Sequence, residues 1–269
     1  MLNSFLRPLA LVLSMLALAP NASAQGPGAC DTQRCFSRQS PELRQRVLDG
    51  ETVVVAEKDP SSPFEVLYAF RRARGADPRL VAGLFASVDE MRGQVEALTE
   101  AQILRRKGNA VVVRYELDVR RLLGPDAGAL VSKAPVSRYA ITNHFETAAN
   151  DAILVWWELE QTETARLNPR KGLLGGLVGN LGEPELVHGY LLVEPVPGTN
   201  DSVLTYANHV VPKSSMARAA SGTINHTSRA TLKAMVERVA RWAEATGAAD
   251  EATRKLYHTR LCELLLAKP

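Results

Sequence analysis

The chain has 269 residues, 46% of them hydrophobic and 23% charged, the composition of an ordinary globular protein with enough material for a sizeable core. Its 32 Lys and Arg against 29 Asp and Glu leave a formal charge of only +3. That balance lacks the clustered basic excess of a nucleic-acid binder, so no nucleic-acid partner is expected. Scattered Gly and Pro without internal repeats exclude collagen, coiled coils and low-complexity sequence.

Residues 1–24 read as a signal peptide. One positive charge, Arg7, precedes the apolar run Pro8–Ala19, and Ala22-Ser-Ala24 supplies the small-x-small pattern that signal peptidase cleaves. The run is too short to span a bilayer, which takes about 20 residues. Export to the periplasm or outside the cell is the expectation. The three cysteines, Cys30, Cys35 and Cys262, agree with an oxidising compartment. Either Cys30 pairs with Cys35, or one of them pairs with Cys262, and the odd count leaves one thiol over.

Residues 25–49 form a linker with a short helix, opened by Ser40 as cap and Pro41 at the first helical position. Thr52–Ala56 is a β-branched run, and Phe64–Arg74 follows as a second strand. Asp77-Pro78 starts a helix whose stripe is Leu80, Val81, Leu84, Phe85 and Val88. The residues from Met91 to Arg106 read as mostly helical or irregular, up to the turn Lys107-Gly-Asn109.

From there the period becomes two. Val111, Val113, Tyr115, Leu117 and Val119 alternate with Arg114, Glu116 and Asp118. Tyr139, Ile141, Asn143 and Phe145 alternate with Arg138, Thr142, His144 and Glu146. Ile153, Val155, Trp157 and Leu159 oppose an outward set of Trp156, Glu158 and Glu160. Val187–Glu194 and Val203–Val211 pair around Pro195-Val-Pro-Gly-Thr-Asn-Asp201. Ser214 or Ser215 then caps a helix reaching Ala245, with the stripe Met216, Ala220, Ile224, Leu232, Met235, Val239 and Trp242. Residues 247–269 form a separate helical tail carrying Leu261, Leu264 and Leu265.

This order predicts an α+β domain over residues 50–246, in which a curved antiparallel sheet wraps around one long C-terminal helix, 214–246, that covers its apolar face. Several pieces resemble the START-related helix-grip superfamily (SRPBCC), which includes lipid-transfer domains, polyketide cyclases and coenzyme Q-binding proteins. Phe64-Glu-Val-Leu-Tyr-Ala-Phe70 with Ala76-Asp-Pro-Arg-Leu-Val81 is similar to the family's first strand and helix start. Ala101–Leu117 resembles its hairpin after two short helices, and His188–Asn200 with Leu204-Thr-Tyr206 its late hairpin. Val88-Asp-Glu-Met-Arg-Gly-Gln94 stands where the family often has Asp-Tyr-x-x-Tyr-Pro.

The resemblance implies an apolar molecule, a lipid or isoprenoid, held between sheet and long helix. The residues expected to line such a cavity are Val113, Tyr115, Leu117, Tyr139, Ile141, Asn143, Phe145, Val155, Trp157, Leu191, Leu204, Tyr206, Met235 and Val239. Among them Tyr115, Tyr139, Asn143 and Tyr206 supply polar groups to orient a ligand; a filled core would use the same residues. The insertion 166–186 interleaves glycine with leucine and valine. It reads as a lid, as a packed loop, or as a transient membrane contact through 170–182, with Arg170 and Lys171 meeting lipid phosphates.

No catalytic residues and no cofactor are assigned. GxSxG and HExxH are absent, no CxxC occurs, and the five histidines lack ligand spacing, so no metal is expected. Alternation turns His188 and His209 to solvent, and Asp89, Glu90, Glu158 and Glu160 read as solvated charges. The alternatives to a non-catalytic binding or transfer protein are a polyketide cyclase-like enzyme using Asn143 and Tyr115, or a ligand-free cell-envelope interaction domain.

Overall fold

The computed structural model describes residues 35–95, 97–118, 121, 136–168, 183–213, 218–219 and 221–267. Eight antiparallel strands form one sheet: β1 (Val53–Lys58), β2 (Glu65–Ala73), β3 (Leu98–Lys107), β4 (Ala110–Asp118), β5 (Val136–Thr147), β6 (Ile153–Leu159), β7 (Pro184–Pro195) and β8 (Ser202–Pro212). Their order in space is β1-β2-β8-β7-β6-β5-β4-β3. The helices are α1 (Pro41–Leu48), α2 (Pro78–Ala86), α3 (Val88–Met91), α4 (Gln161–Leu167), α5 (Ser221–Gly247) and α6 (Glu251–Leu266). The expected α+β fold, an open curved sheet with a long C-terminal helix, is the one observed.

Local chemistry sets the helix starts. Ser40 Oγ accepts from the Leu43 amide at 3.2 Å, and Asp77 Oδ1 from the Arg79 and Leu80 amides at 2.9 and 3.1 Å, each ahead of a proline at the first helical position. The segment from Met91 to Arg106 departs from its reading as helical or irregular, because β3 occupies Leu98–Lys107. Register shifts at Leu98/Glu100 and Ile103/Arg105 break its alternation, so the period-2 signal is lost in a true strand.

Register sorts side chains onto two faces. Phe145, Val155 and Leu191 stand in line across β5, β6 and β7, and Val193 opposes Leu204 across β7 and β8, all in the main core on the concave side. The convex side carries its own apolar cluster: Tyr68, Phe70, Leu154, Trp156, Tyr190 and Leu192 with Cys35 and Val47. Trp156, read as facing outward among charges, does lie on that face but is only 6% exposed, donating to Glu146 Oε1 at 2.8 Å and stacking on His144. The segment Cys35–Leu48 belongs to this cover. Glu194 accepts from the Phe36 amide at 2.8 Å, and Arg72 spans the Leu48 carbonyl at 2.6 Å and Asp201 at 2.8 Å. Cys35 is disulfide-bonded and Cys262 is a free thiol, so the pairing option through Cys262 falls away; Cys30 lies outside the described residues.

The concave side is not covered by one helix alone. α5 packs chiefly on β1, β2 and β8, while α2 lies over β6 and β7, and α6 packs on α2 and reaches β5. Tyr257, Leu261 and Leu264 of α6 are buried in the main core. On α5 the buried residues begin only at Leu232 and continue through Val236, Val239, Ala240, Ala243 and Thr246. The N-terminal half of the long helix therefore stands over the sheet without a buried anchor among the described residues.

Gly83 is where α2 and α6 cross. A Cβ there would meet the Tyr257 carbonyl oxygen and lie 2.8 Å from its carbon, and backbone atoms cannot give way as a side chain does. Gly83→Val is therefore expected to lower stability by about 1–3 kcal/mol in denaturant unfolding. Gly222→Ala, in open space near the start of α5, is expected to be neutral or stabilising by up to about 1 kcal/mol.

Candidate functional site

The concave ends of β4, β5, β6 and β8 bring together a group of aromatic and polar side chains. Pairing of β4 with β5 sets Tyr115 opposite Tyr139, with ring centroids 6.0 Å apart. Pairing of β5 with β6 sets Asn143 opposite Trp157, and β6 with β7 sets Trp157 opposite Gly189. Any Cβ at Gly189 would meet the Ala207 carbonyl oxygen and come within 2.7 Å of the Trp157 ring. The missing side chain leaves that space to the indole, which lies 5.0 Å from the ring of Tyr206. Tyr206 in turn faces Phe85 of α2 at 6.4 Å.

Polar contacts complete the group. The Tyr115 hydroxyl donates to Met91 Sδ at 3.8 Å, and the side chain of Asn143 lies near enough to act on it. Burial pushes the Tyr115 hydroxyl up to about 12, against the opposing effect of Asn143. Tyr139 is raised still further by burial and then by Tyr115, and Tyr206 by burial and then by both other tyrosines. Three phenols close enough to act on one another are thus held neutral. Asn143 is 6% exposed, so its amide is also withdrawn from bulk water.

The expected lining separates into two layers. Val113, Ile141, Phe145, Val155, Trp157, Leu191, Leu204 and Val239 are buried in the main core as its floor. Leu117, Tyr139 and Tyr206 border that core and are only half-buried. Met235, also half-buried, sits with Leu232 and Val236 against Leu67 and Ala69. Tyr206 packs against that cluster as well, so α5 closes over the β8 end of the group, while Tyr139 and Leu117 keep some exposure. Phe85, Met91 and Gly189 belong to the same place and were not among the expected lining residues. A glycine inside a strand was the available signal for Gly189, since it marks close approach of another group.

Two expectations about charges fail. His209 does not face solvent: it is 8% exposed, because the loop between β1 and β2 folds over it, while His188 is exposed as expected. Glu90 is no solvated charge either. It accepts from Tyr257 Oη at 2.5 Å and pairs with Arg260, beside a hollow of about 350 Å³ that Asp89 and Arg106 also line. The stretch 170–182, with Ser214, Ser215, Met216 and Ala220, lies outside the described residues. Among the described residues no group of three or more His, Cys, Asp or Glu could hold a metal ion, and no helix is long and apolar enough to cross a membrane.

No protein-family model and no curated protein matches the chain. Solved structures do share its architecture. A STAR-related lipid transfer protein from Xanthomonas axonopodis superposes with a TM-score of 0.50 at 16% identity, covering 71% of this chain and 98% of that one. Human STARD10 superposes with a TM-score of 0.52 at 10% identity, covering 75% of this chain and 77% of its own. At such identities the likeness is one of fold: the chain has the START-like helix-grip fold that its sequence pieces implied.

The buried tyrosines set an alkaline limit on stability. A hydroxyl that ionises at 10.0 in the unfolded chain and near 12 in the fold favours the folded state below pH 10, and that contribution is lost as pH rises from there. Denaturant midpoints are expected to fall steeply above pH 10, and the fall to flatten in Tyr115→Phe.

Proposed function

We propose that the protein is an exported, non-catalytic carrier of a hydrophobic small molecule, a lipid or isoprenoid whose head bears a neutral hydroxyl or carbonyl. The observation that carries this reading is the Tyr115, Tyr139, Asn143 and Tyr206 group on the concave side, in which Tyr115 and Asn143 are buried and Tyr139 and Tyr206 half-buried, like Leu117 and Met235 beside them. Apolar surface placed there is favourable by about 25 cal/mol per Å² before association costs. The phenol hydroxyls and the amide can donate to a neutral oxygen on the ligand. A carboxylate or phosphate head would need a counter-charge, and the groups gathered here are all neutral.

The same neutrality supports binding over chemistry. A general base works best with a pKa near the operating pH, and these phenols are displaced far above it. The Xanthomonas neighbour is named as a lipid transfer protein, in line with a carrier role. Export is supported by the leader pattern of residues 1–24 and by the disulfide at Cys35, a bond that persists in oxidising compartments. Arg170 and Lys171 beside an apolar glycine-rich stretch suit a transient membrane contact at which cargo is exchanged.

Native mass spectrometry of the protein recovered from its own compartment is expected to show a co-purified apolar molecule. The pair Tyr139→Phe with Asn143→Leu should weaken uptake of an apolar alcohol or ketone by about tenfold or more while the fold is kept. Deletion of 170–182 should slow delivery to anionic vesicles and leave uptake intact. Protein that emerges empty, with tryptophan emission indifferent to every apolar alcohol and ketone offered, overturns the carrier reading. Sequencing of the exported protein is expected to begin at Gln25; a chain that still begins at Met1 overturns cleavage.

A further inference from the structure

β8 carries two rings to opposite sides of the sheet. Tyr206 looks to the concave side, and His209, three residues on, to the convex side. The loop between β1 and β2 covers His209, which there lines a cavity of about 200 Å³ with Asp59, Ser61, Glu185 and Arg218. The backbone of Phe64 favours the charged form of the ring. Nε2 is buried and has no hydrogen-bond partner among the described residues.

Nε2 faces a carboxylate. Asp59 Oδ2 stands 3.6 Å from Nε2, beyond hydrogen-bond reach. The other carboxylate oxygen, Oδ1, accepts from the Ser61 amide at 2.8 Å and its hydroxyl at 2.7 Å, and these bonds hold the Asp59 carboxyl below the usual range, ionised. A ring that gains its second proton becomes a cation with donors at both nitrogens, and is then drawn to this carboxylate across the gap. Of the other ionisable groups here, Glu185 is engaged by Arg218, while His188 stands across from His209 on β7 with Glu158 beyond it.

The loop also holds the unanchored half of α5. Asn225 donates to the Pro63 carbonyl at 3.0 Å and accepts from the Glu65 amide at 3.3 Å, and Arg229 Nε donates to Glu65 Oε2 at 2.9 Å. The residues between Asp59 and Glu65 are therefore a strut between β8 and the first turns of the long helix.

We propose that His209 and Asp59 form a proton-operated latch, in which protonation of the ring draws the loop onto β8 and steadies the N-terminal half of α5. The proton comes from solvent, and the cationic ring donates from Nε2 to Asp59 Oδ2 in a charge-assisted bond of about 2.7–2.9 Å. Burial lowers the His209 pKa while Asp59 and the Phe64 backbone raise it, with burial prevailing, so the latch closes on the acid side of an ordinary histidine. It operates whether or not a ligand occupies the concave side, so its test is separate from that of the carrier reading.

The test follows the His209 ring by NMR in the full chain while hydrogen exchange is measured in the loop and in residues 222–231. Lowering the pH through the His209 transition is expected to slow exchange there by at least about threefold after correction for intrinsic rates. In Asp59→Asn the His209 transition should move to lower pH and the coupled protection disappear. Titration of His209 in the wild-type chain without any change in protection overturns the latch. So does a pH response of the same size in Asp59→Asn. The wild-type titration alone decides the matter if that variant does not fold.

Discussion

The strict two-residue alternation of an antiparallel sheet is the constraint from which the other features follow. A shift of one residue in the pairing of β5 would carry Tyr139, Ile141, Asn143 and Phe145 to the convex side and Arg138, His144 and Glu146 into the core. Register is therefore fixed wherever burial is deep, and the tyrosine group is a product of that fixation. Tyr115 and Tyr139 meet because they share one rung of the β4–β5 ladder, and Trp157 lies across Gly189 because they share another. The site needs no special loop to assemble it.

Where the alternation was unbroken, the sequence was transparent. Val111 to Leu117 and Tyr139 to Phe145 could be placed on a face from the residues alone, which is why Tyr115, Tyr139 and Asn143 fall on the same side of the sheet. β3 was opaque because two bulges interrupt its period and its outer half is charged. Trp156 was misjudged by its phase alone. The run Ile153-Leu-Val-Trp-Trp157 is apolar at every position, the mark of a strand buried on both sides, and the cover from Cys35 to Leu48 supplies the second burial. His209 and Glu90 escaped because their partners, Asp59 and Tyr257 with Arg260, are remote in the chain, and only tertiary packing brings them near.

The convex face is divided in a way that matters for the energetics. Its β1, β2, β8, β7 and β6 part is apolar and covered, held by Glu194 on the Phe36 amide and by Arg72 between Leu48 and Asp201. Its β3–β5 part is ionic, with Arg114 between Glu100 and Glu116, Arg138 on Glu116 at 2.7 Å and Arg105 on Glu163 at 2.8 Å. Pairs as exposed as these add little to stability individually. Their effect is to keep that part of the sheet wetted while the other is sealed.

An open sheet has two rims, and each presents unpaired backbone groups to any neighbouring chain. Here one rim, β1, is overlaid by α5, and the other, β3, is kinked twice and studded with Arg105, Arg106 and Lys107. A kinked and positively charged rim is a poor template for a second copy to zip against. The bulges that hid β3 from pattern reading thereby help the domain stay dispersed when it is crowded, with no closed barrel required.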